Sequence, residues 1–210
     1  MKIRHRTAAV LLTASVLLLT ACATGAGGDA TPPADTVGLG DAWPSPPDGE
    51  VVAQGTVMDA GGTVELCLGA IAESYPPQCS GIPLEGWSWD GLEGSETASG
   101  VTWGAYAVQG TYDGETFTIT QPPIMLALYD PMMSPDPTDG KPGQGSEDEL
   151  AAIQDDLPDL LGEELLGSSV QDGWLWIDVV WDDGVLADTA DAVYGPDVVV
   201  VRSALRPVDR

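Results

Sequence analysis

Carboxylates dominate the reactive side chains of this 210-residue sequence, which carries 33 Asp and Glu but a single histidine, His5. Beyond position 5, imidazole general bases, Ser-His-Asp and Cys-His catalysis and His-ligated zinc are therefore excluded. Paired carboxylates hydrolyse glycosides without histidine at separations of ~5–10 Å, but among so many acids some pair always qualifies, and composition singles out none. Two stretches are more specific. Asp178 follows Trp174 and Trp176 at alternate positions, and a carboxyl held among aromatics has a raised pKa suited to a general acid; a solvent-facing rim Asp is the competing reading. Asp182 and Asp183, with Asp188 and Asp191 beyond, offer the oxygen ligands that calcium takes, about six to eight at a time. The EF-hand pattern is absent, and the competing reading makes Asp183 the N-cap of a helix. Asp136 to Gly140, with Glu147 beyond, is a second weak calcium candidate against the plain reading of a polar loop.

Binding chemistry is suggested by tryptophan. Trp87 and Trp89 stand two apart, so on a strand they share a face, and two coplanar exposed indoles would suit a sugar ring. Trp103, Tyr106 and Tyr112 could extend that platform. The alternative puts these rings into the core of a small barrel. Cys67 and Cys79 flank Tyr75-Pro76-Pro77 and lack the close C-x-x-C spacing of a redox pair.

The amino terminus fixes the compartment expected for all of this. Met1 to Arg6 is cationic, and Thr7 to Leu19 is an apolar run of signal-peptide length, too short for a relaxed membrane span. It ends in Leu19-Thr20-Ala21-Cys22, which resembles the lipobox of bacterial lipoproteins. The resemblance implies a diacylglyceryl group on the Cys22 thiol, cleavage just before it and an amine open to acylation. A plain secretory signal, cut at Ala21-Cys22-Ala23, is the alternative. Two acyl chains satisfy the requirement for stable anchoring, each buried methylene contributing ~0.8 kcal/mol. The expectation is a protein tethered to the outer face of the cell membrane. With Cys22 acylated, Cys67 and Cys79 are left on the oxidising side with each other, and a disulfide follows.

Without residues 1–21 the chain keeps four basic residues (Lys141, Arg202, Arg206 and Arg210) against every acidic one, a formal charge of −29. Such a polyanion repels nucleic acid and anionic headgroups, because phosphate contacts need Lys and Arg. Strong acidity also fits salty surroundings.

The elements that must position these residues fall into two groups. Residues 22–49 read as a flexible tether without apolar periodicity. Residues 50–130 read as all-β, with strands at Val51–Met58 and Thr63–Ala70 joined through Asp59-Ala60-Gly61-Gly62. Val101–Thr111 and Thr116–Thr120 form a second hairpin around Asp113-Gly114, Phe117 and Ile119 pointing inward. Residues 131–145 read as a linker. In residues 146–210, Ser146 and Glu149 form a capping box ahead of Leu150, Ile153, Leu157, Leu160 and Leu161 at helical spacing, with Pro158 expected to kink or split the helix. A strand at Trp174–Trp181, a short helix at Gly184–Tyr194 and a strand at Asp197–Leu205 complete an α-β-α-β order with neighbouring parallel strands. The fold class expected is α+β: a small disulfide-braced antiparallel barrel, OB-like, or a sandwich, followed by this α-β-α-β unit.

Cys67-Leu68-Gly69-Ala70, Glu73 to Cys79 and Gly86-Trp87-Ser88-Trp89 together resemble a group of uncharacterised secreted proteins and lipoproteins of actinobacteria, over about residues 50–120. The resemblance implies localisation and a β-rich fold but no reaction. The function expected is a non-enzymatic, membrane-tethered module binding an envelope protein or glycan, with no cofactor. A carboxylate-dependent hydrolase of wall polysaccharide and a calcium-dependent structural module are the alternatives.

Overall fold

The computed structural model describes residues 37–130 and 136–208. The expected signal segment, Cys22, residues 22–36 of the expected tether and residues 131–135 of the expected linker lie outside the described residues. Strands β1 (Val51–Ala60) and β2 (Thr63–Cys67) open the chain's β half, followed by β3 (Ile82–Glu85), β4 (Ser95–Ala98), β5 (Val101–Tyr112), β6 (Phe117–Ile119) and β7 (Ile124–Met125). The hairpin between β1 and β2 is tighter than expected. Ala60 pairs with Thr63, leaving only Gly61 and Gly62, at φ 69° and 94°. Two successive positive φ values are what a type I′ connection demands, and glycine meets that demand without steric cost. Asp59 Oδ1 accepts the Gly62 N–H at 2.8 Å.

The sheet closes on itself. Neighbours run β1-β2-β3-β6-β5, and β5 returns to β1 in an antiparallel ladder from Val51↔Gly110 to Ala60↔Val101. Every contact around this five-stranded barrel is antiparallel except β3–β6, which is parallel. Strand β4 pairs with the outer part of β5 as an added hairpin, through Ser99-Gly100. The period of two on β1 sends Val51, Ala53 and Val57 inward, where they meet Leu66, Leu84, Val108 and Phe117. Full burial of a side chain such as Phe117 contributes roughly 1.5–3 kcal/mol. Small residues stand where large ones cross: at Gly104 a Cβ would lie 2.6 Å from the Tyr106 ring. Tyr106 thereby spans the interior and its hydroxyl donates to the Glu93 carbonyl at 2.8 Å.

Cys67 and Cys79 are disulfide-bonded, with their Cα atoms 6.1 Å apart, so the end of β2 is tied to the irregular loop before β3. Constraint of a loop of this size contributes roughly 3 kcal/mol in the chain-entropy model.

The C-terminal half departs from the expected α-β-α-β order. Helix α1 (Glu147–Leu161) is followed by β8 (Leu165–Gln171), β9 (Trp174–Val179), α2 (Val185–Tyr194), β10 (Val199–Ser203) and β11 (Arg206–Pro207). The added strand β8 pairs antiparallel with β9 through a hairpin at Asp172-Gly173, both at positive φ. Strands β9 and β10 are parallel neighbours, as their βαβ arrangement requires. Ser146 caps α1 by accepting the Glu149 N–H. Contrary to expectation, Pro158 does not split the helix: it lies in the final turn, where only the bond to Gln154 is lost, and Gly162 ends the helix after Leu161.

Leu150, Ile153 and Leu157 of α1 and Leu186 and Ala190 of α2 cover one face of the three-stranded sheet, burying Leu175, Ile177 and Val179. Leu39 and Ala42, within the span expected to be tether, join this core; Leu39 is 2% exposed. Beyond β9, Val180 and Trp181 turn into the barrel's apolar cluster together with Leu205. Strand β11 then pairs with β1 at Val51 and Val52. Trp181 Nε1 donates to the Ser45 carbonyl at 2.9 Å.

Candidate functional site

The tryptophan pair expected to form a sugar platform is turned edge to face. Trp87 and Trp89 lie in the loop after β3 rather than on a strand, with ring centroids 5.0 Å apart and an interplanar angle of 78°. Both rings also meet Tyr106, at 5.1 and 6.2 Å, and pack against the barrel core. The correction has a simple cause: without extended backbone, positions i and i+2 need not share a face. Trp89 Nε1 donates to Asp59 Oδ2 at 3.1 Å, whereas Trp87 Nε1 is buried and finds no acceptor among the described residues.

Trp103 belongs to a different surface. Its ring partner is Tyr75, edge-on at 5.4 Å, and Tyr75 is 72% exposed at the tip of the disulfide loop. The structure thus divides the residues expected to act together: Trp87, Trp89 and Tyr106 pack on the core, while Trp103 and Tyr75 form an outer aromatic contact. Tyr112 is buried, donating its hydroxyl to the Gly114 carbonyl at 2.8 Å.

The carboxylates at the start of α2 act as backbone acceptors. Asp182 takes the N–H groups of Leu186 and Ala187 at 2.9 and 3.3 Å. Asp183 takes those of Ser45 and Val185 at 3.0 and 3.2 Å. The N-cap position itself is Gly184, at φ 108°, not Asp183. Among the described residues no group of three or more Asp, Glu, His or Cys side chains converges as metal ligands would. Asp178 is paired with Arg202, whose Nε and Nη2 donate to its two oxygens at 2.7 and 2.8 Å. A bidentate guanidinium contact engages both carboxylate oxygens and makes Asp178 an ion-pair partner on the sheet rather than a carboxyl turned toward a ligand.

Among the described residues, one carboxyl is held above the ordinary range. Glu164, at the end of the turn after α1, is pushed up by partial burial and by neighbouring Glu163. Burial, and then the negative field of Glu164, raise the Tyr112 phenol in turn.

A cleft of 270 Å³ opens on the sheet face opposite the helices. It is lined by Asp136 and Lys141 on one side and by Gln171, Asp172, Trp174 and Trp176 on the other. Its walls are pinned together. Gly143 N–H donates to the Asp172 carbonyl at 2.9 Å, Gly145 N–H to the Gly173 carbonyl at 3.0 Å, and Trp174 Nε1 to the Lys141 carbonyl at 2.9 Å. A Cβ on Gly173 would lie 2.6 Å from the Gly143 carbonyl oxygen, so both glycines permit this close approach. Asp136 Oδ1 accepts from the Thr138 N–H and hydroxyl at 2.9 and 2.7 Å, which holds its carboxyl below the usual range. Trp176 carries the Arg202 guanidinium 5.0 Å from its ring centroid, and its buried Nε1 has no acceptor among the described residues. Sequence reasoning singles out Trp174 and Trp176 but not this cleft, which needs the 136–145 segment folded against the β8–β9 turn.

Compared with known protein families, with curated proteins and with solved structures, the chain finds no match.

Proposed function

We propose that the chain is an extracytoplasmic lipoprotein, held on the outer face of the cell membrane by acylated Cys22, and that its barrel is a non-enzymatic module binding a protein or glycan of the envelope. The observation that carries the binding reading is the outer contact of Tyr75 and Trp103. A tyrosine 72% exposed, steadied edge-on by an indole and carried on a disulfide-tied loop, is a rigid aromatic surface facing solvent. Rigid aromatics supply contact area at low entropic cost and are enriched where proteins bind partners.

The barrel's strand order supports the same reading. With β4 set aside as an inserted hairpin, we read β1-β2-β3-β6-β5, with β3 and β6 parallel, as an OB-like order. Barrels of that kind use the face of their second and third strands and the adjacent loops to hold oligonucleotides or oligosaccharides. Here the disulfide loop joins those two strands. A formal charge of −29 from Cys22 onward disfavours the nucleic-acid option.

Two measurements test the parts separately. Cys22→Ser is expected to release the protein from the membrane fraction; retention of that variant in membranes would end the anchor reading. Tyr75→Ala, a surface change expected to leave the fold intact, should abolish retention on envelope fractions. Unchanged retention would end the assignment to this surface.

A further inference from the structure

The cleft between the 136–142 segment and the β8–β9 hairpin is a second surface, remote in sequence from Tyr75. We propose that it binds a single neutral sugar ring. The inference rests on the reading of the chain as a binding module, but not on Tyr75 and Trp103 being its surface.

Size comes first. At 270 Å³ the cleft lies near the lower end of small-molecule sites, which run from roughly 300 to 1,000 Å³. It suits one ring, not an extended chain. Preorganisation comes next: two backbone hydrogen bonds and the Trp174 indole bond fix the walls before any ligand arrives, so little ordering is needed on binding.

Charge then narrows the class. Anions meet Asp136 and Asp172 in a strongly acidic chain and are repelled. A cation would be drawn to those carboxylates, but Trp176 already carries the Arg202 guanidinium, and Lys141 stands at the rim. A second cation over that indole would face both positive charges. A neutral, hydroxyl-rich ring meets neither objection. Its hydroxyls donate to carboxylates, and its apolar C–H face lies against an indole.

Suitable acceptors are present. Among the described residues, the hydrogen bond to the Asp172 side chain comes from Gln171 Nε2 to Oδ2 at 3.3 Å, which leaves Oδ1 for a ligand hydroxyl. Asp136, held ionised by Thr138 and Gly140, remains an acceptor at all but strongly acid pH. Trp176 lines the cleft, and its buried Nε1 has no acceptor among the described residues, so a ring movement toward a ligand oxygen would supply one. A buried donor without a partner calls for such an explanation.

The test is titration of the exported chain with methyl glycosides of glucose, mannose, galactose, arabinose and N-acetylglucosamine, and with tetramethylammonium as the cationic comparison. Indole N–H resonances are followed by NMR, Trp176 being assigned through Trp176→Phe, and affinities are measured by calorimetry. At least one glycoside is expected to shift the Trp176 resonance saturably. Asp172→Asn, which tolerates the φ of 51° at that turn, is expected to weaken that glycoside about five- to tenfold, the effect of one lost hydrogen bond. Tyr75→Ala should leave the affinity unchanged. Failure of every glycoside, a response to tetramethylammonium alone, or an affinity indifferent to Asp172→Asn would each overturn the assignment. If the cleft fails while wild-type protein is still retained on envelope fractions and Tyr75→Ala is not, the binding-module reading survives and only this site is lost.

Discussion

Each half of the molecule carries a tryptophan pair two positions apart, and the two pairs have opposite fates. In both, among the described residues, one indole N–H is satisfied and the other is not: Trp89 donates to Asp59 while Trp87 finds no acceptor, and Trp174 donates to the Lys141 carbonyl while Trp176 finds none. The difference lies in the backbone beneath them. Trp174 and Trp176 stand on β9, so their side chains share the sheet face away from the helices and line a cleft. Trp87 and Trp89 stand on a loop, so their rings turn edge to face and close over Tyr106. The same spacing thus yields a wall in one place and a plug in the other.

The largest effect expected from that difference is on stability. Trp87→Ala removes ring contacts with both Trp89 and Tyr106 and opens the barrel's apolar cluster. A loss of roughly 3–4 kcal/mol is expected, near the lower end for large aromatic truncations because the ring is half-buried. Trp176→Ala loses one partly exposed guanidinium contact and should cost about 1–2 kcal/mol. Denaturant unfolding of the two variants decides the matter. Equal losses would mean that both pairs are core.

Next in size comes the covalent brace, which only the barrel half possesses. Cys67→Ser with Cys79→Ser is expected to lower stability by roughly 3 kcal/mol and to loosen the loop bearing Tyr75, while the Asp172–Gly143 contacts stay protected from hydrogen exchange. Deprotection of both regions together would show that the halves open as one cooperative unit.

The halves also differ in how much of them is legible in sequence. Alternation at Val51, Ala53 and Val57 and at Phe117 and Ile119 announces barrel strands because one face of each is dry. The parallel β9–β10 pair is likewise legible, since a valine-rich strand after a short helix leaves few alternatives. Strand β8 is not. Gly167, Ser168 and Ser169 interrupt its apolar pattern, and as an edge strand it needs no second buried neighbour. Asp172-Gly173 is a strong hairpin signal standing directly before Trp174, and it is the one sequence feature that points to β8. Leu39 escapes detection for another reason: a single 3-10 turn has no period to read. Asp182 and Asp183 are adjacent acids, and only the path of the chain decides which oxygen reaches which N–H. The cleft depends on two segments distant in sequence, 136–142 and 171–176, meeting, which is tertiary information.

The smallest expected effect is a pH dependence to which individual carboxyls contribute with opposite sign, two of them, Glu164 and Asp136, within the C-terminal half alone. Glu164 is held above the ordinary glutamate range by partial burial and Glu163. Its protonated form is therefore favoured in the folded state, so its contribution to stability is present below the unfolded value, about 4.3, and is lost as pH rises through the folded value. Asp113 and Asp136 behave inversely: hydrogen bonds from Thr116 and from Thr138 hold them low, so the stability they confer is present above about 3.9 and lost as pH falls through their folded values. Stability should therefore rise as pH falls from 7 toward 5, helped by relief of repulsion among the acids, and decline under stronger acid. Glu164→Gln should stabilise the fold at pH 7 by less than about 1 kcal/mol, after screening at a partly exposed site, seen as a small rise in melting temperature, and should flatten the rise toward pH 5. Identical pH profiles for the two proteins would mean that relief of general repulsion alone accounts for the slope and that the Glu164 carboxyl is solvated in the fold.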